Sequence, residues 1–179
     1  MRTHKFGIFI PKDVASAKAE DARNGNTLWW DAICKEMKNA NIAFELYEGN
    51  VSQEQAILQL KAQGYQQISY HIIFDVKMGE NFRRKARLVA GGHTTATPST
   101  LTYSSVVSRD SVRIAFTIAA LHNLSVLACD IQNAHLTAPC REKIFTIAGP
   151  EFGSQAGNIF IVTRALYGLK SSGAAFRSF

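Results

Sequence analysis

The run Ile68-Ser69-Tyr70-His71-Ile72-Ile73-Phe74-Asp75-Val76-Lys77 is followed by Met78-Gly79-Glu80-Asn81 and then by Phe82-Arg83-Arg84-Lys85-Ala86-Arg87-Leu88-Val89-Ala90. Ile68, Tyr70, Ile72 and Phe74 alternate with Ser69, His71 and Ile73, and β-branched residues are frequent, so the stretch from Tyr65 reads as a strand. Gly79-Glu80-Asn81 supplies a tight connection, and Phe82 to Ala90 is expected to return antiparallel, as a hairpin. Gly91-Gly92 ends it, and a Thr/Pro/Ser-rich loop follows through Ser105.

Upstream of this hairpin the period is helical. Residues 1–26 are mixed and polar and end in the turn signal Asn24-Gly25-Asn26. From Thr27 to Ala40 the apolar positions Trp30, Ile33, Met37 and Ala40 predict an amphipathic helix, with Asn26 or Thr27 as its cap. A second helix is expected over Ser52–Gln63. Ser52 and Gln55 match a capping box, Ile57, Leu58 and Leu60 give an apolar face, and Gly64 suits the stop.

Downstream, Asp110 or Ser111 is expected to cap a helix over Val112–Leu121, with Val112, Ala115, Phe116 and Ala119 on one face. Leu124–Ile131 reads as a short buried strand with Asp130 near its carboxyl end. Glu142–Ala148 and Asn158–Leu166 read as strands, joined by a loop rich in Gly149, Pro150, Gly153 and Gly157. Long crossovers mixed with a hairpin imply an α+β fold, an antiparallel or mixed sheet packed on helices.

Composition narrows the function classes. The 179 residues are 46% hydrophobic and 19% charged, which is ordinary for a globular chain. The net charge of +6 is uneven: residues 61–120 hold 8 basic against 3 acidic side chains, whereas residues 1–60 hold 7 against 8. That asymmetry favours a polyanionic partner. Cys34, Cys129 and Cys140 form no C-x-x-C pair, which argues against a disulfide framework and for buried, reduced thiols. The five histidines lack zinc spacing. The apolar stretch Val112–Cys129 is interrupted by Arg113, His122 and Asn123 and is not expected to cross a bilayer. A soluble intracellular protein is therefore expected.

Three segments carry chemistry. Arg83, Lys85 and Arg87 share one face of their strand, because side chains alternate. Like charges so placed repel unless an anion such as a triphosphate or a nucleic-acid backbone sits opposite; the plainer reading is a charged edge that discourages aggregation. Asp130 follows the apolar run Leu127-Ala128-Cys129, a place from which a carboxylate can hold magnesium or simply form a turn. Ala165-Leu166-Tyr167-Gly168-Leu169-Lys170-Ser171-Ser172-Gly173 is a strand end running into a turn, with Lys170 available to phosphate, and lacks P-loop spacing.

In order, these segments resemble one family. Arg84-Lys85-Ala86-Arg87-Leu88-Val89-Ala90-Gly91-Gly92-His93 resembles the RKARLVA.GH stretch of copia-type retrotransposon reverse transcriptases. Asp130-Ile131-Gln132-Asn133-Ala134-His135-Leu136 is similar to their D-x-x-x-A-[FY]-L motif, and Ala165 to Ser172 to their LYGLKQS motif. Trp30 to Met37 resembles the opening W..A...E helix, and Tyr65 to Lys77 the strand before the basic stretch. The likeness runs from about residue 27 onward.

The resemblance implies RNA-directed DNA synthesis on a right-hand polymerase fold, with residues 1–26 as an upstream connecting segment. Fingers would span about 27–122 and a partial palm about 123–179. It implies two Mg2+ ions, with RNA or DNA template-primer and dNTP as partners. Asp130 would be the first metal-binding, catalytic carboxylate. Lys85 and Arg87 would belong to the strand closing on the triphosphate. Tyr167 and Gly168 would lie beside nucleotide and template, with Lys170 near phosphate. His135 stands where the family has a large aromatic that packs against the sugar.

The family's other two catalytic aspartates form a [YF]-x-D-D hairpin downstream, and no Asp-Asp pair occurs in these 179 residues. An incomplete domain is therefore expected, inactive alone and prone to self-association through a palm sheet left with an open edge near 124–131. The alternative is a non-catalytic nucleic-acid-binding or protein-interaction remnant.

Overall fold

The computed structural model describes residues 3–96, 98 and 102–178. Two short strands, β1 (His4–Lys5) and β2 (Ile8–Phe9), lead into helices α1 (Val14–Asn24) and α2 (Leu28–Ala40). β3 (Phe44–Leu46), α3 (Gln53–Ala62) and β4 (Gln66–Gln67) precede the hairpin strands β5 (Tyr70–Lys77) and β6 (Arg83–Ala90). Next come α4 (Arg109–Leu121), the single-turn α5 (Ala134–Thr137), β7 (Ile144–Ile147), β8 (Ile159–Val162) and α6 (Ser172–Arg177). The fold is α+β. Of the loop expected through Ser105, residues 97 and 99–101 lie outside the described residues.

The hairpin forms in the register its alternation requires, with Tyr70 opposite Ala90 and Lys77 opposite Arg83. Ile72, Phe74 and Val76 with Ala86 and Leu88 make one buried face, on which Trp29, Ile33 and Met37 of α2 pack. Each such large side chain taken from water stabilises the fold by roughly 1.5–3 kcal/mol. Trp29 meets Phe74 edge-on at 5.5 Å. The strand expected from Tyr65 onward is interrupted. β4 pairs parallel with β7 in a second sheet of order β3-β8-β7-β4, and the chain crosses to the hairpin at Ile68-Ser69. In that second sheet Phe145 and Ile159 bury against Ala56 and Leu60 of α3, while Ile144 and Val162 face Ile68, Ala90 and Leu166.

Helix starts and stops follow local chemistry. α3 has the capping box expected of Ser52 and Gln55, and Gly64 takes a positive φ after it. Its apolar face is Ala56 and Leu60, whereas Leu58 points to solvent. At α2 neither Asn26 nor Thr27 dominates the cap. The buried carboxylate of Asp21, at the end of α1, accepts the N–H groups of Trp29 and Trp30 at 3.0 and 2.8 Å. Thr27 contributes no capping bond, and Asn26 accepts from Leu28 at 3.3 Å. The segment read as mixed and polar, residues 1–26, thus holds a helix whose Val14 and Ala17 join the core.

Three further expectations fail. Leu124–Ile131 is no strand: it has no ladder partner among the described residues and its side chains are exposed, Leu127 at 91%. An apolar run becomes a buried strand only beside a sheet edge that can take its hydrogen bonds, and this run joins no ladder among the described residues. The open edge expected at 124–131 is therefore not a strand edge. α4 starts three residues before the expected Val112, capped by Ser108, which accepts from the Ser111 N–H at 3.0 Å, rather than by Asp110 or Ser111. Of its apolar face only Ala119 is buried, and Val112 and Phe116 are exposed. Finally, Cys34 and Cys129 are exposed and Cys140 half-buried, all as free thiols, instead of lying in the core. Burial raises the Cys140 thiol above its ordinary range. Among the described residues no helix is long and apolar enough to cross a membrane.

Candidate functional site

A cleft of about 510 Å³ opens between α2, β6, the segment 130–133 and Tyr167. Its β6 wall is the cationic strand. Arg84, Ala86 and Leu88 turn toward the core side, so Arg83, Lys85 and Arg87 fall on the other face. Residues two apart on a strand stand roughly 7 Å apart, which sets a row of positive charge along the cleft. The Lys85 ammonium is held below its ordinary range, first by burial and then by the nearby positive charges of Arg87, Lys77 and Arg83. Glu36 acts the opposite way. The shift marks a partly desolvated cation set beside like charges.

The facing wall carries Asp130 and Tyr167. The Arg87 guanidinium lies 4.9 Å from the centre of the Tyr167 ring, a cation–π contact. His135 stands on the Tyr167 ring edge-on, with centroids 4.7 Å apart, and also meets Phe176 at 6.2 Å. Its Nδ1 is buried without a hydrogen-bond partner among the described residues. Asp130 is exposed at the cleft mouth, on an irregular segment rather than at the end of a strand.

Of the site residues expected from sequence, Lys85, Arg87, Asp130 and Tyr167 line one cleft. His135, Gly168 and Lys170 are not among its lining residues. His135 backs Tyr167, and Lys170 donates to the Thr95 carbonyl at 2.6 Å, tying down the loop after β6. Gly168, at φ +95°, lets its turn press on the end of β6. A Cβ there would stand 2.1 Å from the Ala90 carbonyl oxygen, and one on Gly92 would stand 2.3 Å from the Gly168 carbonyl oxygen. Beside it the Ala90 N–H donates to the Tyr167 carbonyl at 2.7 Å.

Sequence reading missed the α2 wall, formed by Ala32, Lys35, Glu36 and Asn39. Their spacing marks one helical face, beside that of Ile33, Met37 and Ala40, and was the signal available. As for metal, Asp130 stands in the cleft while Glu36 Oε1 accepts from the Leu88 N–H at 2.9 Å. No group of three or more His, Cys, Asp or Glu side chains able to hold a metal ion occurs among the described residues. Two magnesium ions, which draw on several anionic oxygens, do not fit this set.

A family model described as reverse transcriptase (RNA-dependent DNA polymerase) matches residues 51–178. The chain belongs to that family. No solved structure matches it. The reverse transcriptase match includes the cationic strand, Asp130 and Tyr167, and leaves out α1 and α2, so one wall of the cleft lies outside it.

Proposed function

We propose that the chain is the nucleotide- and template-facing portion of a copia-type retrotransposon reverse transcriptase. Fingers would cover about 27–122 and the start of the palm about 123–179, with residues 1–26 upstream. The observation that carries this reading is the cleft in which Lys85 and Arg87 face Asp130 and Tyr167. In nucleotidyl transfer from dNTP to a primer 3′-hydroxyl, the strand cations would take the triphosphate or template backbone as charge-assisted partners. Tyr167, packed against both Arg87 and His135, would hold the Arg87 guanidinium at the cleft wall beside the incoming nucleotide. Gly168 and Lys170 would act by shaping the turn that carries Tyr167, rather than by contact.

The polymerase chemistry itself needs more acid than Asp130 supplies. The 179-residue chain alone is therefore expected to bind nucleic acid without extending a primer. Fluorescence anisotropy with a labelled single-stranded oligonucleotide tests the binding. Affinity should fall with salt, and Lys85→Ala with Arg87→Ala should flatten the slope of log K against log salt by about 1.4, at about 0.7 per phosphate contact. Salt-independent binding, or none at low salt, removes the reading. Magnesium-dependent primer extension by the purified chain would overturn the claim of inactivity.

One observation favours a second reading, an interaction role through self-association. Ile114, Phe116, Ile118 and Leu121 of α4 and Leu124, Val126 and Leu127 beyond it are all exposed, an apolar extent that usually marks contact with another chain. A sedimentation profile independent of concentration would dismiss it.

A further inference from the structure

The outer edge of β6 is held at two points. On a strand, backbone N–H groups two residues apart face the same side. Leu88 and Ala90 are such a pair: the Leu88 N–H donates to Glu36 Oε1 at 2.9 Å, and the Ala90 N–H to the Tyr167 carbonyl at 2.7 Å. The first clamp comes from α2, the second from the turn on the facing wall. Glu36 itself lines the cleft together with Lys85 and Arg87, and its charge acts favourably on the Lys85 ammonium.

Accepting the preceding reading that this cleft binds a polyanion, we propose that Glu36 is a positioning residue. Its carboxylate fixes the cationic strand against α2, so that Lys85 and Arg87 present their charges to the bound phosphates. The functional unit then includes α2, outside the matched residues 51–178.

The sign of the effect separates this role from plain electrostatics. A carboxylate in a cationic cleft opposes a polyanion, so by Coulomb's law alone its removal tightens binding. A positioning role predicts the reverse when the acceptor is lost. Glu36→Gln keeps an oxygen for the Leu88 N–H and drops the charge. Glu36→Ala drops both, and Glu36→Asp keeps the charge on a side chain one methylene too short.

The experiment uses the whole chain and a labelled single-stranded oligonucleotide, with amide hydrogen exchange at Leu88 followed in parallel. Glu36→Gln should bind as tightly as the parent or more so, with Leu88 still protected. Glu36→Ala and Glu36→Asp should bind roughly three- to tenfold more weakly, the size of a coupling between contacting groups, with Leu88 exchanging faster. If the alanine variant does not fold, the aspartate variant carries the same comparison. Equal or tighter binding by both Ala and Asp variants overturns the proposal, as does a Gln variant as weak as the alanine one. If the parent chain binds no oligonucleotide, the functional reading falls by itself. Leu88 exchange then decides Glu36 alone: unchanged protection in Glu36→Ala and Glu36→Asp overturns the positioning role.

Discussion

Gly168→Ala should unfold the chain far more readily than its single added methyl suggests. The residue sits at φ +95°, where an L side chain costs about 1–2 kcal/mol. The new Cβ would lie 2.1 Å from the Ala90 carbonyl oxygen and 2.8 Å from Val89 Cγ1. Backbone on both sides must separate, at about 1–3 kcal/mol more for an overpacked contact. The total of about 2–5 kcal/mol is a large share of the roughly 5–15 kcal/mol that holds a domain folded. In urea, followed by circular dichroism, the midpoint should fall by roughly 1–2.5 M for a slope near 2 kcal/mol/M. Gly25→Ala is the control. Gly25 also has positive φ, +62°, but open space around it, so only the conformational cost of about 1–2 kcal/mol remains. Gly92→Ala meets the same contact from the other side, at 2.3 Å from the Gly168 carbonyl oxygen, so the double variant should cost less than the sum. A Gly168→Ala midpoint equal to that of Gly25→Ala would refute the close approach of the turn to β6.

Asp21→Ala should lower stability by about 2–4 kcal/mol in the same urea assay. It removes two charge-assisted bonds to the Trp29 and Trp30 N–H groups and leaves a buried donor bare; Asp21→Asn, retaining one acceptor oxygen, should cost less. The β1–β2 hairpin should loosen in acid. The Lys5 ammonium, 2.5 Å from Asp75, holds that carboxyl below its ordinary range. A depressed carboxyl contributes above its unfolded pKa and loses that contribution as pH falls through the lower folded value. Both side chains are partly exposed, so the effect is small. Limited proteolysis after residue 5 should accelerate at acid pH in the parent chain, and Asp75→Asn should remove the pH dependence.

The hairpin was legible because its pattern is local: alternation put Arg83, Lys85 and Arg87 on one face, and in the structure Ala86 and Leu88 are buried on the other. The α3 cap was legible for the same reason, as Ser52 and Gln55 satisfy each other. The α2 cap was not, because its acceptor, Asp21, comes from another helix. Leu124–Ile131 misled because hydrophobicity announces a wish for burial, whereas a strand also needs a neighbour. Lys85, Arg87, Asp130 and Tyr167, singled out by order and residue type, line one cleft. Glu36 was hidden in a helix whose apolar face took the attention. Lys170 and Gly168, expected near phosphate and template, lie outside the cleft lining and engage backbone: the Thr95 carbonyl and the end of β6.

The pairing of Phe44–Leu46 with Ile159–Val162 has a consequence for how the chain is made. About 110 residues separate the two strands, and a ribosome adding about 5–20 residues per second needs on the order of ten seconds to deliver the second. Throughout that interval β3 has no mate, while α2 and the β5–β6 hairpin, whose partners are near in sequence, can already close. Synthesis should therefore yield a half-built nascent chain with the α2–hairpin layer formed and the four-stranded sheet waiting. A translation pause inserted before the codon for Ile159 would lengthen the wait and, with it, the time a chaperone has to bind.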